Sequence, residues 1–192
     1  MPRLAVGASD ALVVVDLQVD FCPGGALGVR EGDQVVAPVN RLLAVPGWLK
    51  VATRDWHPPG HVSFKAQGGA WPPHCVAGSP GARFHAGMDA SRVDFIVSKA
   101  TRRDADAYSG FEGTALAADL RSRGVRRIFV CGLATDYCVR ATALDGRREG
   151  LEVVVVEDAV RAVDLKPGDG ARALDEMRGA GCAVARSGDI AA

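Results

Sequence analysis

Residues Ile128–Arg140 read I-F-V-C-G-L-A-T-D-Y-C-V-R, and the rhythm of the chain changes inside them. Ile128, Phe129 and Val130 form a short β-prone apolar run, the mark of a buried strand. Gly132 breaks the run, and from Tyr137 onward the apolar spacing of Y-C-V-R-A-T-A-L-D-G-R-R-E-G turns helical. Cys138 therefore falls at a strand-to-helix turn, in or just before the first helical turn. Free backbone N–H groups and the positive end of a helix dipole favour a thiolate there. The same N–H groups suit the oxyanion that forms when a thiolate attacks a carbonyl. Taken alone, a cysteine at such a turn is more often a small buried apolar residue. The other strand ends decide between the two.

Working upstream, Ala11–Val15 is an unbroken and mostly β-branched run, which predicts a central parallel strand buried on both faces. Asp16 follows it, then a loop marked by Pro23-Gly24-Gly25. An Asp in that position ordinarily caps a turn. Gly32-Asp33 opens a predicted helix through about Leu43, with Asp33 as candidate N-cap and Pro38 implying a late start or a kink. Trp48–Thr53 is the second predicted strand. Val93–Val97 is the third, followed by Ser98 and Lys99, and a lysine at a strand end ordinarily points to solvent. Residues 100–113 are polar and turn-rich, a loop rimming whatever lies at the strand ends. Thr114–Arg123 is an amphipathic helix stopped by Gly124.

Downstream, Gly150 stops the helix that follows Cys138. Glu152–Val156 is a fifth strand with Glu157-Asp158 at its end, Gly170–Gly179 a last helix, and Cys182–Ala185 a short edge strand. Six strands alternating with helices or long crossovers predict a three-layer α/β/α fold with a largely parallel sheet, one domain over residues 1–192. In such sheets ligands bind beyond the carboxyl ends of the strands, near the topological switch.

The loop after the second strand reads T-R-D-W-H-P-P-G-H-V-S-F and holds Asp55, His57 and His61. Trp71-Pro72-Pro73-His74-Cys75 follows shortly, so three of the four histidines of the chain lie here. A D-x-H pair puts two side chains on one side of an extended segment, and a later His can close a metal site. Such a donor set suits Zn²⁺ first, and Fe²⁺ or Mn²⁺ next, with water in the open positions. His85 and Cys75 are weaker candidates.

Composition narrows the classes of function. Charge is balanced, 23 Lys+Arg against 23 Asp+Glu, with no basic run, so nothing argues for a nucleic-acid partner. No apolar segment approaches membrane-spanning length. The stretch M-P-R-L-A-V-G-A-S-D has one Arg and too few apolar residues for a signal peptide. Five cysteines without a close-set framework point to a reduced, cytoplasmic protein. An exposed edge strand or helix face leaves a monomer and a homodimer both open.

Asp16 follows the first strand, Asp55 the second, Lys99 the third and Cys138 the turn after the fourth. All four would line one crevice, and four coincidences at one rim outweigh four separate bland readings. A cysteine beside an Asp and a Lys, with no obvious catalytic His, suggests an acyl-transfer nucleophile whose proton acceptor is a carboxylate. Asp16 would take the thiol proton, Lys99 would pair with Asp16 and favour the thiolate, and the N–H groups of Ala134 and Cys138 would form an oxyanion hole.

These residues resemble the nicotinamidase/pyrazinamidase branch of the isochorismatase-like cysteine hydrolases, over nearly the whole chain. The resemblance is carried by D-L-Q-V-D-F-C-P-G-G-A-L from Asp16, R-D-W-H-P-P-G-H, W-P-P-H-C, the lysine after the third strand, A-Y-S-G-F and G-L-A-T-D-Y-C-V. It implies a Rossmann-like sheet of order 3-2-1-4-5-6, a Cys138–Asp16–Lys99 triad, and hydrolysis of nicotinamide, and of pyrazinamide too, through a thioester. It also implies a cis peptide at Leu133–Ala134 that aims the Ala134 N–H at the oxyanion. Asp55, His57 and His74 would bind the metal that holds the pyridine nitrogen, with His61 as a fourth ligand or just outside. Phe21 and Trp71 would sandwich the ring, with Tyr108 nearby. Gln18 would contact substrate or metal-bound water, or else close its own loop with a hydrogen bond.

Overall fold

Strand β1 (Asp10–Val15) is buried along its whole length in the computed structural model, which describes residues 4–192. It pairs in parallel with β2 (Leu49–Asp55) on one side and β4 (Arg127–Leu133) on the other. Outside β2 lies β3 (Phe95–Lys99), and outside β4 lie β5 (Glu152–Arg161) and β6 (Ala183–Ala185). The six-stranded parallel sheet thus has the order β3-β2-β1-β4-β5-β6, as expected. Strand order reverses between β1 and β4, so the switch point opens where Asp16 and the turn to Cys138 emerge.

Alternate residues of the central strands feed two separate cores, because successive side chains on a strand point to opposite faces. Leu12, Val14, Phe129 and Cys131 pack with Val39, Leu42 and Leu43 of helix α1 (Val36–Ala44). Ala11, Val13, Val15, Ile128 and Val130 pack on the opposite face. There they meet α2 (Leu116–Ser122), α3 (Arg140–Arg148) and α4 (Asp169–Gly179) through Leu116, Leu120, Ala143 and Met177. Three layers result. Each fully buried Leu, Ile, Val or Phe contributes about 1.5–3 kcal/mol. The centre of the sheet is therefore a rigid base for the strand ends.

Several boundaries depart from the expected ones. A 3₁₀ turn at Gly32–Val35 precedes α1, and Asp33 does not cap it through its side chain. Pro38 sits in the first turn of α1, where a missing N–H leaves no helical hydrogen bond unmade, so the late start holds and no kink is needed. Strand β5 continues past Val156, and Glu157 and Asp158 lie within it rather than at its end. The cause is a register shift against β4 together with a tether: Ser187 donates its N–H and its hydroxyl to Asp158, both at 2.7 Å. Leu4–Ala5 pairs in parallel with Ile190–Ala191, an addition the sequence pattern did not signal.

Gly132 is required where it stands. Its φ is 108°, and a Cβ there would lie 2.0 Å from the Val15 carbonyl oxygen. The close approach brings the end of β4 against β1 just before the Cys138 turn. All five cysteines are buried and free. No helix among the described residues is long and apolar enough to cross a membrane.

Candidate active site

Strands β2 and β3 end in register, with Asp55 opposite Lys99. Both residues are the last of their strands, one position type beyond where the apolar runs fade, and both are buried. Lys99 does not point to solvent; it is 1% exposed. Its ammonium lies 3.0 Å from Asp16 Oδ2, 3.4 Å from Cys138 Sγ and 3.2 Å from the Ala107 carbonyl, and it donates to Asp55 Oδ1 at 2.5 Å. A buried ammonium is tolerable only with such partners. Burial works against its charge, but Asp16, Asp55 and Cys138 prevail, and Lys99 stays protonated well above its ordinary range.

Asp16 leaves β1 with φ 46°, a left-handed conformation that turns the chain sharply at the sheet edge. Thr53, two residues before Asp55 and so on the same side of β2, donates its hydroxyl to Asp16 Oδ1 at 2.7 Å. Carboxylate oxygens of Asp16 and Asp55 and the Cys138 sulfur all lie within 4.8 Å of one another. Burial lifts the Asp16 carboxyl above the ordinary range, with Lys99 pulling the other way and Asp55 adding to the rise. Burial also lifts the Cys138 thiol well above its ordinary range, against Lys99, while Asp16 and Asp55 reinforce the rise. The expected stabilisation of a resting thiolate is thus outweighed: the proton stays on sulfur until Asp16 accepts it.

Cys138 sits in a single π-helical turn (Thr135–Val139) that joins β4 to α3. The Leu133–Ala134 peptide is cis, as the resemblance implied. The Ala134 carbonyl accepts the N–H groups of both Tyr137 and Val139 at 3.1 Å. That pinning holds Ala134 and Cys138 together in the lining of a tight cleft with about 30 Å³ of free volume. Phe21, Trp71 and Tyr108 line the cleft, and Tyr137 and Val163 join them. Trp71 donates its indole N–H to the Tyr108 hydroxyl at 3.0 Å and meets Tyr137 edge-on, ring centroids 5.3 Å apart. Tyr137 and Thr53 escaped the sequence reading, although one adjoins Cys138 and the other shares the β2 alternation with Asp55.

Beside this cleft Asp55, His57 and His74 each turn one ligand atom to a common point, all within 4.8 Å of one another. His57 Nε2 lies 3.3 Å from His74 Nε2 and 3.5 Å from Asp55 Oδ2. Ligands at about 2.0–2.2 Å from one tetrahedral ion stand about 3.4 Å apart, so the spacing fits a divalent transition metal. His74 donates Nδ1–H to the Pro72 carbonyl at 2.8 Å, which leaves the lone pair on Nε2 facing the cluster. Burial holds the His74 ring below its ordinary range and hence neutral. Burial would raise Asp55, but the Lys99 ammonium and His57 outweigh it and keep the carboxylate ionised. His57 Nδ1 is buried without a hydrogen-bond partner among the described residues, and Nε2 is the ring nitrogen that faces His74 and Asp55.

For His61 and Gln18 the sequence leaves two alternatives open, and the contacts of each favour the second. His61 stacks on His57, ring centroids 4.3 Å apart, but does not turn a lone pair to the cluster. Its Nε2 faces the Ala105 carbonyl at 3.0 Å and so carries the proton, while Nδ1 accepts the Ser63 N–H and lies 2.7 Å from the Ser63 hydroxyl. His57, His61 and Asp106 do bring one ligand atom each within 4.8 Å of one another, but both ring nitrogens of His61 already have these protein partners. Gln18 closes its loop with hydrogen bonds. Its amide donates to the carbonyls of Asp55 and Ala82 and accepts the Asp55 N–H, all at 2.8–2.9 Å, which closes the loop and fixes Asp55.

The Isochorismatase domain family model matches residues 10–189. Over 198 aligned residues the chain is 38% identical to a nicotinamidase of Escherichia coli (strain K12), covering 91% of this chain and 93% of that one. Among solved structures, it is similar to the pyrazinamidase of Pyrococcus horikoshii in complex with zinc, with 52% identity, a TM-score of 0.86, and coverage of 93% and 99%. PnC1 from L. infantum in complex with nicotinate superimposes with a TM-score of 0.93 at 39% identity, covering 98% of each chain.

Proposed function

Because the chain belongs to the isochorismatase family, we propose that it is a nicotinamidase, a cysteine amidohydrolase that converts nicotinamide to nicotinate and ammonia and also accepts pyrazinamide. The observation that carries the reading is the buried Lys99 ammonium, which joins Asp16 to Cys138 where Cys138 lines an aromatic cleft, and which is tied through Asp55 to the metal-fitting cluster. Relatives named nicotinamidase and a structural neighbour solved with nicotinate support the substrate class.

In the first half-reaction Asp16 takes the thiol proton as Cys138 Sγ attacks the carboxamide carbon. The elevated basicity of Asp16 suits that transfer, and Lys99 offsets the negative charge that arrives on the sulfur–carboxylate pair. The tetrahedral oxyanion forms against the N–H groups of Ala134 and Cys138. As it collapses, Asp16 passes its proton to the leaving nitrogen, ammonia departs, and the thioester remains. Water then gives a proton to Asp16 while its oxygen adds to the thioester carbon. Collapse expels Cys138, to which Asp16 returns its proton, and the acid so formed leaves as nicotinate with its own proton passing to solvent.

Asp55, His57 and His74 would hold one divalent metal, Zn²⁺ first and Fe²⁺ or Mn²⁺ next, and the P. horikoshii pyrazinamidase solved with zinc supports that choice. When bound, the ion supplies a Lewis-acid anchor for the pyridine nitrogen. Phe21, Trp71 and Tyr108 flank the ring, so the amide carbon is presented to Cys138 rather than to bulk water.

The test is steady-state ammonia release from nicotinamide with metal content measured on the same sample. Release that vanishes in Cys138→Ala, with about one metal per chain, is the expected result. A wild-type protein that binds metal yet releases no ammonia overturns the reading.

A further inference from the structure

Strand β5 leaves the sheet at Arg161, the partner of Leu133, and the next residues have no ladder to hold them. Val163 nevertheless forms a wall of the cleft. What fixes it is Asp136, two residues before Cys138. One carboxylate oxygen of Asp136 accepts the Val163 N–H and the other the Asp164 N–H, both at 2.9 Å. Asp136 is 8% exposed and makes no salt bridge among the described residues, so these two amides are the partners of its charge. Asp164 sits at φ 52° and accepts the Gly170 N–H at 2.7 Å, which anchors the far side of the segment on the first turn of α4. Gly170 leaves no slack there, since a Cβ on it would come 2.5 Å from Ala162 Cβ.

We propose that Asp136 is a positioning residue that sets the Val163 wall against the Cys138 turn and thereby limits the size of the ring the cleft admits. The inference rests on the amidase reading above and extends it to specificity. The same turn carries the nucleophile and, through Asp136, the wall the ring must meet, so their separation is fixed by one side chain. Asp136 touches no reacting atom. Loosening it should therefore weaken ring seating and leave the Cys138–Asp16–Lys99 chemistry in place.

The experiment compares wild type, Asp136→Asn, Asp136→Ala, Val163→Ala and the Asp136→Ala/Val163→Ala double variant on nicotinamide and on the bicyclic quinoline-3-carboxamide. Asp136→Ala is expected to raise KM for nicotinamide about tenfold, keep kcat within about threefold, and shift relative kcat/KM toward the bicyclic amide by about tenfold. Asp136→Asn, which retains one acceptor, falls between. The double variant is expected to be no worse than the poorer single variant, because both act on one wall. An unshifted KM, a fall in kcat alone, or effects that multiply in the double variant would overturn the proposal. If Asp136→Ala does not fold, Val163→Ala carries the test, and an unchanged KM and substrate range there overturns it. Wild type that releases no ammonia overturns the amidase reading and this proposal with it; normal wild-type release with unshifted variants overturns this proposal alone.

Discussion

Asp55 and Lys99 face each other across the ends of β2 and β3, and one carboxylate is thereby shared by two centres. Oδ1 accepts the ammonium that also serves Asp16 and Cys138, while Oδ2 turns to His57. Two buried carboxylates thus depend on a single buried cation. Removing that cation leaves them uncompensated, a change that costs about 3–5 kcal/mol where a buried ion pair is broken from one side. Lys99→Met is expected to lose turnover and to lower stability by that amount in urea unfolding. Adding Asp16→Asn to it should restore much of the stability without restoring activity. A Lys99→Met protein as stable as wild type would contradict the charge balance described here.

The two groups that exchange the proton should behave differently from Lys99. Asp16→Asn keeps the shape and accepts the Thr53 hydroxyl, and Cys138→Ala removes one small buried side chain. Turnover is expected to fall by about 10²–10⁴ in Asp16→Asn and to vanish in Cys138→Ala, with circular dichroism unchanged in both. Near-normal ammonia release from either variant rules out the assigned roles.

His57 and His61 stack on each other, yet only one has a lone pair to give. His57→Ala is therefore expected to emerge from purification without stoichiometric metal, and His61→Gln to retain it. Elemental analysis of the two proteins side by side decides the matter. Equal loss in both would return His61 to the ligand set.

The parts of this site legible in the sequence were those fixed by strand ends. An unbroken apolar run such as Ala11–Val15 permits little but a central parallel strand, and the residue that follows it must stand at the crevice. Asp16, Lys99 and Cys138 were located in that way. What the chain could not declare was register and local pairing. That Asp55 lies directly opposite Lys99 depends on how two strands slide past each other, which the apolar pattern leaves open. His61 has the spacing of a ligand, but Ser63 and the Ala105 carbonyl, 44 residues away, claim its nitrogens. Gln18 is likewise claimed by backbone groups of two distant segments. Glu157 and Asp158 look like a strand end in sequence, but a register shift against β4 and the tether to Ser187 keep the strand running.

The buried thiols give the protein a pH dependence that the triad alone would not. Burial raises the Cys22 thiol to about 11, pushes Cys75 and Cys131 higher, and lifts Cys138 and Cys182 above their ordinary range as well. In the unfolded chain each titrates near its ordinary value of about 8.5. Below that pH both states hold the proton and the contribution to stability is fully present. Above it the unfolded chain releases protons that the folded one keeps, so stability falls as pH rises toward the folded values. Each thiol contributes about 1.4 kcal/mol per pH unit in that window. For Cys22 the window closes near 11, while for Cys75 and Cys131 it extends further. Urea midpoints are therefore expected to be level near neutrality and to drop steeply above about pH 9, less steeply in Cys22→Ala, which removes one titrating group. A midpoint that holds level to pH 10 would mean that the thiols ionise as readily folded as unfolded, and the closed packing around them would have to be abandoned.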